Sequence, residues 1–143
     1  MKTLSVLLIL IAGCDSASTA DYETVRQLGT PDMEGEAIAA PDMATAGEPF
    51  EVTVTTEGGG CHERADGIEV RERREVVELR PYDIVSMPVG DKAGCTLIRK
   101  TFPRTVAVTL DDAGPRRLRV VGRQSRDGSE VVVEREILVV SAR

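Results

Sequence analysis

The sequence predicts an all-β domain, a two-sheet antiparallel sandwich, following an N-terminal leader and tether. Three observations predict it. Short stretches of strict apolar–polar alternation recur along residues 36–143, the period of a half-buried strand. Clusters of Gly, Pro and Asp separate them, and these residues punctuate chains as turns. No segment sustains an apolar period of 3.6, so no amphipathic helix competes.

The strands are read in order. Gly47-Glu48-Pro49 forms a turn before Phe50, Val52 and Val54, which alternate with Glu51, Thr53 and Thr55. Gly58-Gly59-Gly60 ends that strand. Ile68 and Val70 alternate with Glu69 and Arg71. Val76 to Tyr82 follows, with Val77 and Leu79 on one face. Residues 83–101, with Pro88, Gly90 and Gly94, break the pattern and read as a long loop. Val106, Val108 and Leu110 alternate next, and Asp111 to Pro115 form a turn. Leu118 and Val120 alternate with arginines, and Ser125 to Gly128 turn into a last strand over Glu130–Val140. Arg135 interrupts that strand's alternation, for which a bulge or two overlapping short strands is the expected cause. The expected inward face adds Val133, Ile137 and Val139 to the aliphatics named above. About seven strands over this length suit an immunoglobulin-like sandwich, with a small barrel or jelly roll as the alternative.

Residues 1–13 differ in kind. Lys2 is followed by an apolar run from Leu4 to Ala12, broken only by Ser5. That is about half the roughly 20 residues needed to span a bilayer, and it has the build of a secretory leader. Ile11-Ala12-Gly13-Cys14 resembles the lipobox of bacterial lipoproteins. The resemblance implies a signal peptide over 1–13, diacylglycerol on Cys14 with cleavage before it, and membrane attachment through that lipid. Asp15 follows the cysteine, and in some diderm bacteria an aspartate there retains a lipoprotein at the inner membrane. An ordinary cleaved leader and an internal apolar strand are the alternatives. Residues 14–35 are rich in Asp, Glu, Ser, Thr, Gly and Ala, with Val25 and Leu28 the sizeable aliphatics, and read as a flexible tether. Pro31-Asp32-Met33 recurs as Pro41-Asp42-Met43. Methionines can bind copper(I), but scattered ones more often fill gaps in a core.

Without residue 2 the chain has 17 Lys and Arg against 24 Asp and Glu. The acidic balance argues against nucleic acid and anionic surfaces as partners. With no Trp, two Phe and two Tyr, the core must be Val, Leu and Ile. Three cysteines leave one odd in an exported protein. If Cys14 carries lipid, Cys61 and Cys95 remain, and a disulfide between them is the expected state. Two free thiols or a metal pair are the alternatives, and a lone histidine and no Cys-x-x-Cys spacing disfavour zinc. The bond would tie two loops at one end of the sandwich. Its loop would contribute roughly 3–4 kcal/mol by chain entropy.

Chemistry is sparse. His62 alone titrates near neutrality; as a loop histidine beside a disulfide it needs no further role. Ser86, Ser125 and Ser129 sit in turn-like contexts without a nucleophile elbow. Asp111-Asp112 reads as a turn rather than a calcium site. Asp83, Asp91, Glu63 and Asp66 are carboxylates that could gather near the disulfide. The mixed charges from Glu63 to Arg80 read as a solvated face with cross-strand ion pairs. No catalytic residue, metal or cofactor is expected.

Gly60-Cys61-His62, Ala93-Gly94-Cys95-Thr96 and Leu118-Arg119-Val120-Val121-Gly122 resemble a group of uncharacterised bacterial secreted or lipoprotein domains of the immunoglobulin-like class. The resemblance covers about residues 36–140 and transfers no activity. The expected function is a lipid-anchored binding or scaffolding module of the cell envelope, with a protein or glycan partner. The alternative is an inhibitor of an envelope or extracellular hydrolase. Either would act through the disulfide-end loops, where His62, Ile84, Met87 and Val89 are the candidate contacts.

Overall fold

In a computed structural model of the chain, residues 22–89, 95–96 and 98–142 are described. The leader, Cys14, Asp15 and the start of the expected tether lie outside them, as do Gly90, Asp91, Ala93 and Gly94.

The described residues are all-β and sandwich-like. Ten strands follow one another: β1 (Tyr22–Leu28), β2 (Thr30–Pro31), β3 (Ile38–Ala39), β4 (Met43–Thr45), β5 (Pro49–Gly58), β6 (His62–Arg73), β7 (Val76–Pro88), β8 (Lys100–Thr109), β9 (Gly114–Arg123) and β10 (Glu130–Val140). The first sheet runs β1-β7-β9-β10-β4, with β6 on the other edge of β7. The second is centred on β5, which pairs β8 on one edge and the short β2 and β3 on the other.

β7 organises the first sheet. Its start, Val76–Leu79, pairs parallel with β9, and its end, Tyr82–Pro88, pairs antiparallel with β1. β6 pairs antiparallel with it from Val76 to Val85, with register shifts near Arg64 and Gly67. β4 and β10 form a second parallel pair.

The alternating rows meet between the sheets as expected. Val52, Val54, Val77, Leu79, Val108, Leu110, Leu118, Val120, Ile137 and Val139 are buried, with Phe50, Ile68, Val106 and Val133 packed against them. Val70 departs: it is 39% exposed, because β6 is an edge strand. Ala37 and Ile38 also join the core.

Four expectations are corrected. Residues 22–31, read as tether, are paired strands: β1 lies along β7 and β2 along β5. β7 continues to Pro88, so the expected loop at 83–101 begins six residues late. β10 keeps one register with β9 through Arg135, so no bulge is present. Arg135 instead occupies the inward row, donating to the Ile38 carbonyl and pairing with Glu36 and Asp42 at 2.7 and 3.1 Å. Met33 and Met43 are both exposed rather than filling core gaps.

The N-terminal segment crosses between sheets twice. Gly29 alone separates β1 in the first sheet from β2 in the second. Its N–H donates to the Pro81 carbonyl and its carbonyl accepts from Arg123 N–H. A Cβ on Gly122 would lie 2.5 Å from that same Gly29 carbonyl oxygen, so close backbone approach requires a glycine there. The chain returns to the first sheet between β3 and β4.

Candidate functional site

The Cys61–Cys95 disulfide is formed, with Cα atoms 5.2 Å apart, inside the usual range for such bonds. It ties the β5–β6 turn to the segment before β8. Gly60 N–H donates to the Thr96 carbonyl, and Ser86 N–H to the Cys61 carbonyl. The turn is thus held to both flanking segments.

An open groove of about 470 Å³ lies over this bond. It is lined by Tyr22 and Thr24 of β1, Glu63 of β6 and Ser86 of β7, with Gly60 and Thr96 beside the disulfide. The Ser86 hydroxyl, in a strand rather than a turn, donates to the Glu63 carboxylate. The groove therefore offers hydroxyls, one carboxylate and backbone groups to a hydrogen-bonding ligand. A smaller depression of about 220 Å³, between Glu75, Arg116 and Glu136, lies at the opposite end of the sheet.

The candidate contacts separate. Met87 and Val89 are exposed beside the groove. Ile84 is buried within β7, so it is not a loop-tip residue; the strand's extension places it opposite Arg26 of β1. His62 opens β6, half-buried, its ring stacked on Phe102 with centroids 6.3 Å apart. Its Nδ1 is buried without a hydrogen-bond partner. Loss of solvent lowers the His62 pKa; Asp83 opposes that shift, while Arg123 and Lys100 add to it.

Behind the groove lies a polar cluster absent from the sequence expectations. Asp83 is fully buried in β7 and pairs at 2.5 Å with Arg104 of β8, whose side chain is 9% exposed. Thr56 of β5 donates to the same Asp83 oxygen at 3.0 Å and accepts from Arg104. Arg104 also reaches the Tyr82 and Phe102 carbonyls. Asp83 Oδ2 has no partner, and a Cβ on Gly29 would lie 2.6 Å from it. A charged pair thus bridges the two sheets.

The described carboxylates do not gather. Asp83 faces Arg104, Glu63 faces Ser86, and Asp66 pairs with Arg26 at 2.5 Å. Arg26 also lies 3.6 Å over the Tyr82 ring. On the charged face, ion pairs run mainly along strands, Arg71 to Glu69 and Arg80 to Glu78, rather than across them. Hydrogen bonding from Arg71 lowers the Glu69 pKa. Across β9 and β10, Arg119 does pair with Glu134 at 2.7 Å.

The chain matches no protein-family model, and no curated protein or solved structure matches it significantly.

Proposed function

We propose that this chain is a lipid-anchored binding or scaffolding module of the bacterial cell envelope, held at Cys14 and built as an immunoglobulin-like sandwich. The observation that carries the reading is the Cys61–Cys95 disulfide. Such bonds persist in oxidising compartments, and this one leaves Cys14 as the odd cysteine, placed at the end of the lipobox-like Ile11-Ala12-Gly13-Cys14. Pairing of β5 with β8 and of β9 with β10 supports the immunoglobulin-like class. The parallel β7–β9 pair departs from its antiparallel sheets. The groove over the disulfide presents hydroxyls and one carboxylate, which can hydrogen-bond a polar group.

Fractionation of cells expressing the full chain and its Cys14→Ala variant tests the anchor. The unaltered chain should sediment with membranes and the variant should not. Retention of the variant in membranes would overturn the anchor. Crosslinking from native membranes then identifies what the module holds.

A further inference from the structure

We infer that the disulfide end of the domain rests on the bilayer, with Tyr22, Met87, Val89 and Ile98 at the lipid interface. This rests on the proposed lipid at Cys14 and adds an orientation and a contact surface to it.

The first argument is where the chain enters the fold. β1 begins at Tyr22, opposite Pro88 at the end of β7, and Tyr22 and Thr24 wall the groove over the disulfide. Residues 15–21 alone separate that point from Cys14. Fully extended, the span from Cys14 to Tyr22 covers at most about 28 Å. The 13 residues of β7 carry the fold about 40 Å from this end to the other. There the β6–β7 turn and the Asp111–Ala113 turn lie. An inverted domain, with those turns on the membrane, would lift Tyr22 beyond the reach of its own lipid.

The second argument is what the near end exposes. Tyr22 is 50% exposed, Val89 56% and Ile98 63%, with Met87 beside them. Tyr22 pairs next to Met87 and Val89, and Ile98 lies two residues after Thr96 of the groove. A tyrosine with neighbouring aliphatics matches a membrane–water interface, apolar body inward and hydroxyl in the headgroups. Glu23 and Glu63 at the same end, and the acidic balance of the chain, favour a zwitterionic surface over an anionic one. At the opposite end the turns present Arg74, Glu75 and Asp112. A separate apolar group, Met43, Leu138 and Val140, is exposed where β4 pairs with β10, and this orientation leaves it clear of the membrane.

The chain has no tryptophan, so one introduced indole reports position without background. Full-length lipidated Val89→Trp, Met87→Trp and Asp112→Trp are each reconstituted into phosphatidylcholine vesicles carrying brominated acyl chains, and floated. Emission of the Val89→Trp and Met87→Trp proteins should shift blue and be quenched by the bromines. That of Asp112→Trp should do neither. A second Val89→Trp sample carrying Cys14→Ala should stay with the solution and remain unquenched. Floating proteins in which the end-loop indoles are quenched no more than Asp112→Trp would overturn the orientation while sparing the anchor. Failure of the unaltered Cys14 proteins to float would overturn the anchor and the orientation with it.

Discussion

Replacing Asp83 by asparagine tests whether the ion pair between the sheets is dry. The substitution keeps shape and leaves an oxygen to accept from Thr56 and Arg104, but it removes the negative charge. Asp83 is fully buried and Arg104 nearly so, so the guanidinium would be left as an uncompensated charge in the core. Breaking such a pair from one side costs about 3–5 kcal/mol. A domain of this size has ~5–15 kcal/mol in total. With a urea slope of ~1.5 kcal/mol/M, the unfolding midpoint should fall by about 2–3 M. The double variant Asp83→Leu/Arg104→Met removes both charges. It should unfold within ~2 kcal/mol of the unaltered protein, or above it, because apolar groups replace a buried pair without desolvation cost. The assay is urea unfolding of all four proteins with the disulfide intact. An exposed pair contributes little because solvent screens it; Glu69→Gln, which breaks the exposed Arg71 pair, supplies that comparison. If Asp83→Asn costs no more than Glu69→Gln, the pair is solvated and the reasoning fails.

Three further outcomes are expected. Alkylation without reductant should leave Cys61 and Cys95 unlabelled by intact mass, and a Cys61→Ser/Cys95→Ser variant should lose roughly 3–4 kcal/mol in urea, as a loop of that length implies. Folding lowers the pKa of His62 below its ordinary value of 6.5, so below that pH the unfolded chain binds a proton the folded one resists. Stability should therefore be complete above pH 6.5 and fall as the pH drops beneath it. His62→Gln should flatten that part of the thermal-melting profile, and an unchanged profile would refute it. Gly122→Ala should cost about 1–3 kcal/mol by forcing the Gly29 backbone and Pro31 aside. Gly67→Ala, with nothing within 4 Å of an added Cβ, serves as the neutral control in the same melts.

The long strands were legible because their apolar rows alternate. β1 was not, since Tyr22–Leu28 buries little and is held instead by its ladder to β7 and by Arg26 against Asp66 and Tyr82. β2 and β3 are two residues each, too short for any period. The Asp83–Arg104 pair had a readable trace. Extending the row of Val106 and Val108 back by two reaches Arg104, and extending Val77 and Leu79 forward reaches Asp83. Both fall on inward rows, and Thr56 continues Val52 and Val54. Three polar residues at the same end of three apolar rows, two of them opposite in charge, signal a shared interior site. Arg135 continues Ile137 and Val139 in the same way, and its partners Glu36 and Asp42 come from the segment between β2 and β4. The Cys61–Cys95 pairing followed from counting cysteines, whereas Ile84 misled because the end of β7 carries no alternation of its own.

The placement of β1 has a mechanical consequence. Tyr22 leaves the fold at one end and Val140 ends β10 at the other, so tension between the residues before Tyr22 and a load at the far end runs along the strands. β1 lies antiparallel to β7 over seven residues. A pull on its N-terminus loads all of those backbone hydrogen bonds together in shear instead of opening them one at a time. Behind them the crossing at Gly29 stitches β1 to the second sheet, so force entering at Tyr22 is shared by both layers.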